Sequence, residues 1–206
     1  MAENAWPSIH AERRALAQDL ADMTSAQWST PSLCAGWTVH QVLAHQVATA
    51  KMTPGSFLTK FAGAGFSFST LNDKQVALLA AGGPTATLAA FRAVETATSS
   101  PPGPKDSWLG EALVHSEDIR RPLGLHRDYP RPAVTRALAF YAGRNAIIGG
   151  KKRVAGLTLR ATDTDFAIGS GPEVTGPAMA LLLATTGRTA ALDDLTGPGL
   201  ATLRAR

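Results

Sequence analysis

His45, Glu111 and His115 are the residues of this chain whose types and spacing best suit chemistry. Glu111 and His115 stand four residues apart in a stretch that reads as helix, so both side chains leave one face. His45 comes from a distant segment that begins Gly36-Trp37-Thr38-Val39. Two imidazole nitrogens and one carboxylate, with a fourth position open, suit a catalytic zinc or a similar divalent ion. Spacing alone leaves another reading open, in which His45 is a satisfied core histidine and Glu111 with His115 an ordinary helix-surface pair. His10, His40 and His126 have no partner at ligand spacing and read as surface or packing residues. Cys34 is the single cysteine, which excludes an intramolecular disulfide and a cysteine-based zinc finger. A buried thiol packs as a small hydrophobe, so a packing role is favoured for it over a nucleophilic one.

Helices must carry these residues. Apolar spacing predicts a helix over 9–23, with Ser8 as N-cap. Residues 29–36 read as a loop. Thr38 then opens a helix to about Met52, with Gln41 three residues on as in a capping box. Pro54 and Gly55 interrupt it, 57–61 can continue helically, and 62–70 reads as a flexible crossing. Further helices are expected over 73–81 and 85–98, and Ser99 to Pro104 reads as a linker. The stretch 107–123 is the helix of Glu111 and His115, with Gly124 just past its end. Another helix is expected over 132–148. Alternation then predicts strands over 153–161 and 165–169, followed by helices over 177–186 and 200–204. The fold expected is mainly α: a helical bundle, residues 1–150, followed by a small α/β domain, residues 151–206.

The 206 residues suffice for a sizeable core, and no apolar run is long enough to span a bilayer. The first residues lack an export pattern, which makes the cytoplasm the expected location. The net charge is +4, with Arg120-Arg121, Arg127, Arg131 and Lys151-Lys152-Arg153 as the basic clusters. No aromatics interleave them, so a solvated face is expected, with no nucleic-acid partner and no membrane. Anionic small molecules remain compatible with the charge, and both monomer and homodimer stay open.

Leu33-Cys34-Ala35-Gly36-Trp37-Thr38-Val39, followed by Val42-Leu43-Ala44-His45, resembles the second-helix signature of the DinB-like metal-binding four-helix bundles. More narrowly, it is similar to the mycothiol-dependent maleylpyruvate isomerase family. Glu111, His115, Asp118-Ile119 and Leu123-Gly124 match that family's second metal segment. In the tail, Gly156-Leu157, Ala161-Thr162-Asp163, Gly176-Pro177-Ala178, Gly187-Arg188 and Leu195-Thr196-Gly197 follow the order of its sterol-carrier-like C-terminal domain. Gln41 departs from the pattern, since relatives often carry an acid there.

The resemblance implies His45, Glu111 and His115 as metal ligands, zinc as the usual ion, and mycothiol, a low-molecular-weight thiol, as cofactor. A metal-held thiolate attacking a small electrophile then gives an isomerase or an S-transferase. Asp118, one turn past His115, is the candidate to orient a ligand from behind, with an ordinary surface acid as the other reading. Arg188, in the family's Gly-Arg pair, is the candidate to clamp a substrate carboxylate, or else pairs with Asp193 or Asp194. A non-catalytic carrier or regulator of an apolar ligand is the competing function.

Overall fold

The structure, a computed structural model, describes residues 4–146 and 148–206. Residues 1–3 of the expected leaderless start, and residue 147 of the helix expected over 132–148, lie outside the described residues. The chain divides into two compact units, Met1–His126 and Arg127–Arg206.

The first unit contains α1 (Trp6–Asp19), α2 (Ser25–Trp28), α3 (Val39–Lys51), α4 (Pro54–Gly63), α5 (Phe68–Ala80), α6 (Gly83–Ala93) and α7 (Lys105–Arg120). α1 packs on α6 and α7, and α3 packs on the same two helices, which makes a four-helix bundle; α5 lies against α3. Leu16, Leu20, Val39, Val42, Leu43, Val47, Phe91 and Ile119 form its buried centre. α4 buries no residue, and Leu58, Phe66 and Phe68 in this region are exposed.

Local chemistry sets the two site helices. At the start of α3 the Thr38 hydroxyl accepts from Gln41 N–H while Gln41 Oε1 accepts from Thr38 N–H at 2.9 Å, which is the expected capping box. Just before it, Trp37 N–H donates to Cys34 O at 3.1 Å across a turn with Gly36 at φ +82°, the value a type II turn requires at its third residue. α7 tightens into a 3-10 turn, Arg121–Leu123, and stops at Gly124 in the left-handed conformation, as expected.

Several expectations shift. Ser8 does not cap α1, which starts at Trp6 with Pro7 in its first turn. The crossing at 62–70 is shorter than expected because Ser67 caps α5, its side chain accepting from Thr70 N–H. Arg120 does not belong to a solvated face. It is fully buried and donates to Glu12 and, at 2.7 Å, to Asp19, tying α7 to α1.

The second unit contains α8 (Arg131–Ala142), α9 (Gly150–Arg153), β1 (Thr158–Ala161), β2 (Ala167–Gly169), β3 (Glu173–Gly176), α10 (Ala178–Thr185) and α11 (Leu200–Arg204). The sheet order is β2-β1-β3, with β1 antiparallel to β2 and parallel to β3. α10 is apolar nearly all round and buried, packing on the sheet and on α8. That contact is why the units divide after His126 and not at residue 150, where the sequence suggested a boundary. β3 was not expected as a strand. Gly197 and Gly199 allow the last loop to lie against it, since a Cβ at Gly197 would stand 2.5 Å from Glu173 O. No single helix among the described residues is long and apolar enough to cross a membrane.

Candidate metal centre

α3 and α7 pack side by side and bring His45 next to both Glu111 and His115. His45 Nε2 stands 3.7 Å from Glu111 Oε1, and the His45 and His115 rings lie edge to face with centroids 4.9 Å apart. Two ligand atoms on a tetrahedral zinc, each about 2.1 Å from the ion, are themselves about 3.4 Å apart. The His45–Glu111 separation is therefore close to that of two ligands sharing one ion. Trp37 packs its ring against His45, with centroids 5.1 Å apart, so its place at the helix entrance also braces that imidazole.

The electrostatics favour a cation. The Glu111 side chain is only 18% exposed, and burial pushes its carboxyl above the usual range. Charge on His115, a hydrogen bond from Thr49 and the charge of Arg13 act in the opposite direction. Arg13 is itself held in place, its Nη1 donating to Val94 O and Ala97 O at 3.1 and 2.8 Å. A carboxylate kept mostly from water, beside two imidazoles, is a donor set that fits a divalent ion.

Asp118 has no exposed side-chain surface, and its Oδ2 lies 2.8 Å from His115 Nδ1. With the proton on Nδ1, the imidazole keeps its Nε2 lone pair for a ligand role. Asp118 is thus not a surface acid. The loop before α3 is fastened to the same point, because Leu33 N–H donates to Asp118 O at 3.1 Å. That bond brings Cys34 close. Cys34, His115 and Asp118 offer ligand atoms that all lie within 4.8 Å of one another. Cys34 also packs against the apolar centre, as its sequence reading held, but its neighbours make it more than filler. Its sequence separation of some eighty residues from His115 hid this grouping.

The remaining sites are elsewhere. His40 Nε2 bonds Thr87 Oγ1 at 2.8 Å, and burial lowers its pKa, in keeping with a packing role. Arg188 belongs to the second unit, where its Nη1 donates to Thr186 O at 3.0 Å. Asp193 pairs with Arg204 at 2.8 Å.

A family model described as the mycothiol maleylpyruvate isomerase N-terminal domain matches residues 9–120, more than half of the chain. The chain belongs to this family. Among solved structures, it is similar to a histidine-to-alanine mutant of the mycothiol-dependent maleylpyruvate isomerase, with TM-score 0.64 and 16% identity over 94% of this chain and 91% of that chain. A second structure of the mycothiol-dependent maleylpyruvate isomerase gives 0.60 and 15% over the same shares. At these identities the likeness shows a common fold, one that runs through both units. A comparison with curated protein sequences finds no match.

Proposed function

We propose that the protein is a metal- and mycothiol-dependent enzyme, an isomerase or S-transferase acting on a small electrophile. The observation that carries this reading is the placing of His45 beside both Glu111 and His115, on α3 and α7 of a family-typical bundle. In it, His45 and His115 offer neutral nitrogens and Glu111 the negative charge that a divalent ion, zinc by preference, needs. Asp118 holds His115 in the tautomer that leaves Nε2 free to ligate. Trp37 packs the His45 ring. Bound there, the ion and the thiol would together supply a nucleophilic sulfur, and whether the new carbon–sulfur bond is later broken separates isomerase from transferase. Arg188 is assigned to a substrate carboxylate on the family pattern.

A second location for the ion rests on a separate observation, the grouping of Cys34, His115 and Asp118. It shares His115 with the first and uses a thiolate, which zinc also accepts.

Metal analysis of the purified protein and of His45→Ala, Glu111→Ala and His115→Ala decides the main reading. One equivalent of zinc is expected in the wild type, with loss in each variant. A wild type that takes up no divalent ion under zinc-replete conditions ends it. Incubation with mycothiol and a panel of electrophiles then separates rearranged product from a lasting thioether, and Arg188→Ala is expected to raise KM for carboxylate substrates only.

A further inference from the structure

The side of Glu111 that α1 closes off is lined with hydrogen-bond donors. Arg13 from α1, Gln46 and Thr49 from α3, and Trp108 from α7 border a small cavity together with Glu111. Its volume, about 10 Å³, is close to that of a single water centre. Gln46 is 5% exposed, and its Nε2 has no hydrogen-bond partner among the described residues. Trp108 Nε1 is in the same condition. Leaving one buried donor unsatisfied costs about 1–3 kcal/mol, and here two of them border one cavity beside a carboxylate. A single oxygen that accepts twice and donates outward would satisfy all three groups.

We propose that this recess is a built water site, and that its water joins Gln46 and Trp108 to the Glu111 carboxylate, making both of them positioning residues for the metal ligand. The balance of donors and acceptors supports it. A water offers two lone pairs, matched by the Gln46 amide and the Trp108 indole, and two protons, of which one reaches Glu111. Arg13 is anchored beside it, its Nη1 donating to the Val94 and Ala97 carbonyls. A carboxylate fixed from behind in this way holds one orientation before the ion arrives, so less order is lost on binding.

This inference rests on the metal reading of the site, and its test separates the two. A high-resolution crystal structure of the wild type is expected to show an ordered oxygen within hydrogen-bonding distance of Gln46 Nε2, Trp108 Nε1 and a Glu111 oxygen. Zinc titration against a competing chelator is expected to show Gln46→Leu and Trp108→Phe each weakening affinity about tenfold, while circular dichroism of the metal-free variants stays that of the wild type. A dry recess predicts the opposite: no oxygen in the density, unchanged zinc affinity, and variants more stable than wild type because unsatisfied donors have gone. Either a dry recess or unchanged affinity overturns the proposal. A wild type that binds no zinc defeats the metal reading itself, and the water is then judged by the crystal density alone.

Discussion

Asp118 stands directly behind the His115 ring. With no exposed side-chain surface and its Oδ2 2.8 Å from His115 Nδ1, it is no solubilising surface acid. Its removal should therefore be felt at the ion. Asp118→Asn is expected to weaken zinc binding by about 10- to 100-fold, because an amide no longer accepts strongly from the ring and can turn its own donors toward it. Cys34→Ser discriminates between the two ion locations. With the ion on His45, Glu111 and His115, that change should leave affinity within about threefold. A loss as large as that of Glu111→Ala, together with a sulfur-to-metal charge-transfer band in the cobalt-substituted wild type that vanishes in Cys34→Ser, would move the ion to the Cys34 cluster instead. Chelator competition and visible spectroscopy measure both.

At the scale of elements, α7 is fastened to the bundle by more than apolar contact. Arg120, fully buried one turn beyond His115, bridges to Glu12 and Asp19 on α1. Arg120→Met keeps much of the volume but leaves the buried Glu12 carboxylate without its counter-charge. A stability loss of about 3–5 kcal/mol is expected in urea unfolding. The double change Arg120→Met with Glu12→Leu should recover part of it, since replacing a whole buried pair costs far less than halving it. This tie was not legible in the sequence: Arg120-Arg121 at a helix end has an obvious local use, and only the third dimension shows one of the two turned inward. α3 and the body of α7 were legible, because the capping box at Thr38 and Gln41 and the left-handed stop at Gly124 are local signals. β3 escaped because a four-residue strand that ends in a Gly-Pro pair carries little periodicity, and its pairing with β1 is parallel. The same holds for the site. Glu111 and His115 announce themselves by spacing, whereas Cys34, Arg13, Gln46 and Trp108 join them only once α1 and the loop before α3 have packed.

On the scale of the whole molecule, the proposed ligands stand at positions 45, 111 and 115, on two helices, with 66 positions of chain from His45 to Glu111. A site of that kind hardly exists in the unfolded state, so binding free energy becomes folding free energy of the unit that owns the ligands. All three belong to the first unit, Met1–His126. At free zinc about 100 times the dissociation constant, linkage gives a gain of about 2.7 kcal/mol in that unit. Amide hydrogen exchange with and without zinc locates it. Slowing is expected across α3 and α7, whose facing sides the ion would cross-link, and His45→Ala should abolish it. Exchange that slows in β1 to β3 and not in α3 would place the ion outside the bundle altogether. Exchange that does not respond to zinc anywhere would mean that the grouping of His45, Glu111 and His115 serves packing.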